Sequence, residues 1–435
     1  MVIVMIVNIL NDRYGVREIV KENEKSMSIF KKFNNYIIID RKNITKAKKI
    51  IENAEKNLIN ELTDELILET STKNNISIDE AIKWLNPFRV EFDDDGKLYS
   101  KIILKDNYSL YEIKELLYNN GIDTYEGDLS VVDRYIIDKL PNMDLELNKL
   151  DIVYYDIETY DIGELQNDEY GRIIPTTPIL SIAMIDNKGN KKFIANLNKD
   201  NVIAGEKELL IEFLNYVYKY DIIIGWRSSM FDDVYIENRS EYHGIYPQQF
   251  KRLVKIDYWK LYEDKVQNKP DKVSLDNVAE FEVGINKVKI NTNSTKTIGN
   301  GRIVELWEKH ICSYSDNNIS DVIINDIFNR YGTNTEVVSL LSYNYKDVLV
   351  LQKLEEKLKL LDILVSMANL NNILISQTLK GSKFWDIKLI RYFNDLGVRL
   401  QHKYKVTKSD NIVTHTIILD DDYKPIKIEI VGSYK

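Results

Sequence analysis

Cysteine and long apolar runs are both scarce in this chain. The only cysteine among 435 residues is Cys312, so no disulfide can form within the chain, and a reducing, intracellular setting is predicted. No run of about eighteen uncharged apolar residues is present, which excludes a membrane-spanning helix. The opening residues 1–15 are apolar, but they carry neither a basic leader nor a small-residue cleavage site. They predict a first β-strand rather than a signal peptide.

Excess positive charge is also lacking. The net charge of −9 argues against indiscriminate binding to nucleic acid, although enzymes that hold metal ions with carboxylates are often acidic overall. One local basic patch is present near the C-terminal end. Its members are Lys380, Lys383, Lys388, Arg391, Arg399, Lys403, Lys405 and Lys408. The patch fits either a solvated helix face or a surface that follows phosphates.

Residues 1–148 mix β-rich runs with helical stretches and predict an α+β domain. NYIIID (35–40) has the composition of a strand, and apolar residues recur at spacings of three and four over 45–70, which predicts helix. No internal repeat and no low-complexity linker separates this part from the rest.

From residue 151 the pattern becomes that of an α/β core. Strands are predicted over 151–158, 179–186, 191–197 and 221–226, and a helix over 205–220. Strand, strand, strand, helix, strand is the order expected of a ribonuclease H-like fold.

The remainder of the chain is predicted from caps and periodicity. Residues 274–284 begin with a serine N-cap and end on glycine, which predicts a short helix. The polar segment 287–335 predicts loops with one helix, and 337–370 has helical periodicity. THTIILD and IKIEIVGSYK, near the C-terminal end, predict strands.

Two carboxylates stand at the end of the first core strand. Asp156 and Glu158 alternate with Ile157, so both point to one side of the strand, about 6.6 Å apart at the backbone. Carboxylates placed in this way can share metal ions. Taken alone, the pattern also fits a solvated strand end.

Two further segments carry candidate site residues. Asp232 follows the stretch GWRSSMF at the start of a predicted helix, where it would equally serve as a helix cap. Phe231 beside it fits a core position as well as a binding one. Tyr343 and Asp347 are four residues apart and lie on one face of a predicted helix.

Taken together, Asp156, Glu158, Asp232, Tyr343 and Asp347 resemble the three motifs of the DEDD exonucleases, in the variant with tyrosine in the third motif. They are similar to those of family B DNA polymerases. IDYWKLY, VSLDNVAEFEVG, LLSYNYKDVLVLQKL and GSKFWDIKLI resemble stretches in the polymerases of T-even-like phages, in the same order. The resemblance covers about residues 150–400.

The resemblance implies a 3′→5′ proofreading exonuclease on DNA. Four converging carboxylates would repel one another, so a site for two Mg²⁺ or Mn²⁺ ions, held by Asp156, Glu158, Asp232 and Asp347, is expected. Tyr343 is then expected to orient the attacking water. DNA contacts are expected from Phe231, Arg227, Thr159, Lys380 and Lys383. Arg227 departs from the family pattern, which usually carries asparagine there, and it fits either a phosphate contact or a salt bridge outside the cleft.

The resemblance further implies an α/β fold, with a ribonuclease H-like exonuclease domain and an α+β N-terminal domain. The expected divisions are 1–148 (N-terminal polymerase domain), 149–360 (exonuclease domain) and 361–435 (return to the N-terminal domain and connection toward a palm). SLYPS-like and YGDTDS-like palm motifs are absent, so the chain is expected to end where the polymerase part should begin.

The expected partners are a single-stranded DNA 3′ end, primer-template DNA, and a palm, fingers and thumb portion in cis or in trans, with a sliding clamp through that portion. No membrane is expected. The expected location is an intracellular compartment, such as the cytoplasm of a virus- or phage-infected host cell. Two alternatives stay open: a catalytically weak DNA-holding scaffold of a polymerase, and a free-standing 3′→5′ exonuclease acting on RNA or in repair.

Overall fold

The structure is a computed structural model. It describes residues 4–22, 25–94, 98–140, 142–160, 175–198, 200–285, 307, 340–380, 383–400, 414–419 and 425–431, and it gives only the backbone for 4, 340–343, 414–419 and 425–431. The segment predicted as loops, 287–335, therefore lies outside the described residues except for Trp307.

The described chain contains both strands and helices. The strands are β1 (Val4–Asp12), β2 (Gly15–Glu22), β3 (Lys25–Lys32), β4 (Tyr36–Asp40), β5 (Val90–Asp93), β6 (Tyr99–Leu104), β7 (Thr124–Tyr125), β8 (Ile152–Thr159), β9 (Ile179–Asp186), β10 (Lys191–Ala195), β11 (Ile222–Gly225), β12 (Val254–Asp257), β13 (Thr414–Leu419) and β14 (Pro425–Val431). The helices are α1 (Ile44–Glu61), α2 (Asp64–Asn74), α3 (Ile78–Leu85), α4 (Leu110–Asn119), α5 (Val131–Lys139), α6 (Val202–Val217), α7 (Asp232–Tyr242), α8 (Gln248–Lys251), α9 (Tyr258–Lys265), α10 (Leu275–Val283), α11 (Leu340–Leu358), α12 (Leu360–Asn371), α13 (Ile375–Thr378) and α14 (Lys383–Asp395).

Contacts divide the chain into two units, each built from two separate segments. One unit comprises residues 1–35 and 130–396, and the other comprises 36–129 and 397–435. The domain boundaries at 149 and 360 were predicted from a family resemblance and stay a prediction, because a division by contacts does not test them.

The first unit contains a five-stranded sheet in the order β10-β9-β8-β11-β12. β8 pairs antiparallel with β9 and parallel with β11, and β11 pairs parallel with β12. The strand, strand, strand, helix, strand order is the one predicted from the sequence, so the α/β fold class is confirmed. A separate antiparallel sheet, β1-β2-β3, belongs to the same unit.

The two faces of β8 enter two different apolar clusters. Val153, Tyr155 and Ile157 pack in a cluster with residues of α6 and α7. Ile152 and Tyr154 pack in the other cluster, with residues of α11 and α12. This alternation follows from the period of two along a strand, and it assigns the even-numbered residues of β8 to the α11 side. The register of the pairing between β8 and β9 shifts between Glu158 and Thr159.

A buried ion network fixes the starts of two sheet strands in this unit. The Lys21 ammonium lies 2.5 Å from Asp151 Oδ2 and 2.6 Å from Asp221 Oδ2. Asp151 precedes β8 and Asp221 precedes β11. The Lys21 side chain is 4% exposed and that of Asp221 is fully buried, so each charge depends on the other for compensation.

The junction between α11 and α12 is built around one buried carboxyl group. Glu355 accepts hydrogen bonds from the backbone N–H groups of Leu360 and Leu361 and from the Tyr258 hydroxyl, at 3.1, 3.0 and 2.9 Å. Burial raises the pKa of Glu355 to about 7, and these hydrogen bonds act in the opposite direction. Lys359, between the helices, has a left-handed backbone with φ of 50°.

The second unit contains a four-stranded antiparallel sheet in the order β5-β6-β4-β7. Ile37, Ile39, Ile102 and Leu104 from its strands pack with apolar residues of α1 and α4. β13 and β14 form a two-stranded antiparallel sheet, so the strand predicted near the C-terminal end has a neighbour.

Local signals placed both ends of α10 correctly. Ser274 caps α10 by accepting from Asn277 N–H, and Gly284 ends it in the left-handed conformation, as predicted. The helix predicted over 45–70 is instead two helices, because the chain is extended at Leu62 and Thr63 caps α2. Among the described residues, none of the helices is long and apolar enough to cross a bilayer.

Candidate active site

The first site segment lies on the central strand β8. Asp156 and Glu158 are partly exposed, whereas Ile157 between them is 4% exposed and belongs to the cluster that faces α6 and α7. The sequence predicted this alternation, and the structure shows it over the last four residues of β8, whereas the first four are buried on both faces.

The helix α11 brings the third segment to the same strand. Asn344 is fully buried, and its Nδ2 donates a hydrogen bond to Asp156 Oδ2 at 2.7 Å. Asp347 is 7% exposed, three residues further along the helix. Residues three apart share a helix face, so Asp347 lies on the Asn344 side of α11. The Tyr343 side chain lies outside the described residues, although its backbone belongs to α11.

Asp232, in the second segment, also contacts β8. It begins α7, and its Oδ1 accepts a hydrogen bond from the backbone N–H of Ile157 at 3.2 Å. Burial, and after it the charge of Asp233, raises the pKa of Asp232 to about 8, although the bond from Ile157 acts in the opposite direction. A nearby cation would favour the ionised form of such a carboxyl group.

The loop before Asp232 turns sharply at Gly225. A Cβ atom at this position would lie 2.6 Å from Ser228 Cβ and 3.0 Å from the Tyr155 ring, so only glycine fits. Phe231 ends the loop and packs on Tyr235, with ring centroids 4.7 Å apart. The core alternative for Phe231 is therefore at least partly realised, because the ring also packs against the cluster that faces α6 and α7.

Arg227 adopts an arrangement that the sequence did not indicate. Its guanidinium lies over the ring of Trp259, 4.6 Å from the centroid, and its backbone N–H donates to Asp257 Oδ1 at 3.0 Å. The side chain is exposed. The phosphate contact and the salt bridge were the two readings left open by the sequence, and a cation–π contact is a third.

The other residues expected to contact DNA differ in exposure and in their bonding partners. Thr159, just after the register shift, is 7% exposed, and Lys380 is exposed. Lys383 makes a 2.9 Å salt bridge with Asp133. The Arg391 guanidinium donates to backbone carbonyls, including that of Ile136 at 2.7 Å, so this member of the basic patch has a structural role. Contacts of Thr159, Lys380 and Lys383 with DNA stay predictions.

The metal site expected from the sequence is only partly supported by the geometry. In the described part of the chain, no three His, Cys, Asp or Glu side chains form a group that could hold a metal ion. The donor set itself is suitable in kind, because carboxylate oxygens are the ligands that Mg²⁺ and Mn²⁺ prefer. Hydrogen bonds join α7 and α11 to β8. Convergence of the four carboxylates stays a prediction.

Sequence reasoning missed three residues that shape this region: Asn344, Asp257 and Trp259. Asn344 stands inside the YNYKD segment, so a buried polar residue beside a candidate ligand was a usable signal. Asp257 and Trp259 belong to IDYWKLY, which resembled a family stretch without an assigned role. Their positions depend on the parallel pairing of β11 with β12, which places Gly225 beside Asp257.

Comparisons with known proteins give one consistent answer. The DNA polymerase 1 of Saccharolobus solfataricus is 27% identical over 235 residues, which is 46% of this chain and 25% of that protein. The DNA polymerase of Thermococcus sp. (strain GE8) is 34% identical over 131 residues, which is 28% of this chain and 7% of that protein. This chain is homologous to archaeal DNA polymerases. No family model matches it.

The fold agrees with this homology. The structure of the family B DNA polymerase from Pyrobaculum calidifontis matches with a TM-score of 0.60 and 16% identity, covering 96% of this chain and 53% of that one. The chain thus spans about half the length of that polymerase and a quarter of the Saccharolobus enzyme. The closer likeness to T-even-like phage polymerases stays a prediction.

Proposed function

We propose that this chain carries a 3′→5′ exonuclease that removes nucleotides from single-stranded DNA ends, as the proofreading part of a family B DNA polymerase. The observation that supports it most is the pair of hydrogen bonds that join the three motif segments. Ile157 N–H binds Asp232, and Asn344 binds Asp156, so α7 and α11 both meet β8 at its acidic end.

The roles follow from the chemistry of the side chains. Asp156, Glu158, Asp232 and Asp347 would hold two Mg²⁺ or Mn²⁺ ions. When bound, such ions lower the pKa of a water molecule and stabilise the leaving 3′ oxygen. Tyr343 orients that water, because a phenol with an ordinary pKa near 10 is a poor base at neutral pH.

Substrate contacts come from the segments around these carboxylates. Phe231 packs against the terminal base or sugar, a contact that tolerates any base. Arg227 binds a backbone phosphate, and Thr159, Lys380 and Lys383 contact the strand. We further propose that synthesis requires a palm, fingers and thumb portion, in cis or in trans, and that a sliding clamp acts through that portion.

The test is digestion of single-stranded DNA labelled at its 5′ end, in Mg²⁺, Mn²⁺ or EDTA. We expect a ladder shortened from the 3′ end with either metal and intact DNA with EDTA. Asp156→Ala with Glu158→Ala is the inactive control. Metal-independent cleavage, or products cut only from the 5′ end, would refute the assignment.

A second candidate is a DNA-holding scaffold without nuclease activity. The observation that favours it is the lack, within the described residues, of three carboxylates grouped to hold a metal. A scaffold would bind single-stranded DNA and leave it uncut at every metal concentration. The digestion assay, combined with a DNA-binding measurement, therefore distinguishes the two.

A further inference from the structure

The carboxylate of Asp257 accepts hydrogen bonds from the loop between β11 and α7. Oδ1 accepts from the backbone N–H groups of Arg227 and Trp259, at 3.0 and 3.2 Å. Oδ2 accepts from the Ser229 hydroxyl at 2.6 Å, and the Lys260 ammonium binds the same hydroxyl at 2.8 Å. Asp257 is 7% exposed, so these bonds are largely shielded from water.

The Arg227 backbone needs such support. Its φ of 56° lies in the left-handed region, which a residue with a Cβ atom adopts at a cost of about 1–2 kcal/mol. Glycine would remove this strain. Because arginine stands there at the cost of this strain, we infer that the Arg227 side chain has a function.

The Arg227 side chain is held as well. The guanidinium lies 4.6 Å from the centroid of the Trp259 ring. A guanidinium that lies over an aromatic ring can still donate its N–H groups to a phosphate, whose geometry they match. It also restricts the rotamers of a long side chain before any ligand binds, which lowers the entropy cost of binding.

We infer that Asp257 and Trp259 are positioning residues that hold Arg227 ready to bind a backbone phosphate of the single strand. The inference rests on the proposed function, because it assigns to that site a preformed phosphate contact. Asp257 fixes the backbone of Arg227, and Trp259 fixes the guanidinium. Neither positioning residue touches the DNA.

The same contacts would also stabilise the loop in a protein that never binds DNA with Arg227. A double-mutant cycle separates the two roles. If Trp259 acts through Arg227, its replacement has no further effect on DNA affinity once Arg227 is absent. A purely structural role would lower the melting temperature and leave the affinity of the folded protein unchanged.

The experiment measures binding of a 3′-hydroxyl oligothymidylate in EDTA by fluorescence anisotropy, across a salt titration. We expect Arg227→Ala to weaken binding about 10-fold and to reduce the salt slope by roughly 0.7, the value for one phosphate contact on a single strand. Trp259→Leu should weaken binding about 3- to 5-fold, and Trp259→Phe less, because it keeps an aromatic face. The double variant with Arg227→Ala should bind no more weakly than Arg227→Ala alone.

Asp257→Asn tests the backbone support. The amide keeps one oxygen acceptor for the Arg227 N–H, so we expect a smaller loss than for Asp257→Ala. The matched control is Arg17→Ala, which removes an exposed arginine stacked 5.7 Å from the Phe30 ring, in a different sheet. Its DNA affinity should equal that of the unaltered protein, and melting temperatures should show that every variant is folded.

Unchanged affinity in Arg227→Ala, or losses that multiply in the double variant, would overturn the inference while leaving the nuclease proposal intact. Failure of the nuclease proposal has a different signature: no metal-dependent shortening of DNA by the unaltered chain. A chain that binds no single-stranded DNA at all would overturn both.

Discussion

Asn344→Ala tests the geometry of the candidate site most directly. The variant removes the amide that donates to Asp156 Oδ2 at 2.7 Å. Because the acceptor is a carboxylate, the group that faces it must be the NH₂ end of the Asn344 amide. A hydrogen bond to a charged group contributes about 1.5–3 kcal/mol, which corresponds to roughly a 10- to 100-fold change in an equilibrium constant. Loss of a bond that orients a ligating carboxylate lowers metal affinity by the same range.

The assay is calorimetric or spin-resonance titration of the DNA-free protein with Mn²⁺. We expect Asn344→Ala to bind Mn²⁺ about 10- to 100-fold more weakly and to keep its affinity for DNA in EDTA. Gln352→Ala is the matched control, because Gln352 lies about two turns along the same helix and donates to the carbonyl of Asp186 at 3.2 Å. It should bind Mn²⁺ normally. Unchanged Mn²⁺ binding by Asn344→Ala would refute the reasoning, and tighter binding would show that Asn344 competes with the ion for Asp156.

Three further outcomes are expected. Asp156→Ala with Glu158→Ala should abolish nuclease activity. Tyr343→Phe should leave a slow enzyme, with its rate in single-turnover digestion reduced about 10²- to 10⁴-fold. Equal loss of activity in the two variants would exclude an orienting role for the tyrosine. Glu355, with its pKa raised from 4.5 to about 7, holds a proton in the folded state that the unfolded chain releases, so its contribution to stability is present below pH 4.5 and is lost as pH rises to 7. Urea unfolding should therefore show that the free energy of unfolding of Glu355→Gln rises relative to that of the unaltered protein between pH 4.5 and 7, by up to roughly 3 kcal/mol. A difference between the two proteins that does not change with pH would contradict the raised pKa. Lys21→Met should lower the free energy of unfolding by about 3–5 kcal/mol, because it removes the ammonium that pairs with the buried Asp221 carboxylate. A loss below about 1 kcal/mol in urea would count against the network.

Much of the sheet was predictable because its signals are local. The strands Ile179–Asp186 and Ile222–Gly225 follow apolar runs, and Ser274 and Gly284 mark the ends of α10. The break at Leu62 and Thr63 was overlooked, although threonine followed by acidic residues is itself an N-terminal helix signal.

The site was predictable only in part, because its contacts are long-range. Periodicity placed Asp156 and Glu158 on one face of a strand, and the structure agrees. The stacking of Arg227 on Trp259 depends on which strand lies beside β11, and that pairing is not encoded within either segment. The bond from Asn344 to Asp156 joins residues that are 188 positions apart.

The alternating faces of β8 couple its chemistry to its folding. One extra residue inserted before Asp156 would turn both acidic side chains toward the apolar cluster of α6 and α7 and would bring Ile157 to the α11 side. Two inserted residues would return the acidic side chains to the α11 side and would displace only the ends of the strand. We therefore expect natural length variation in this strand to occur in even steps, with odd steps removing activity and stability together.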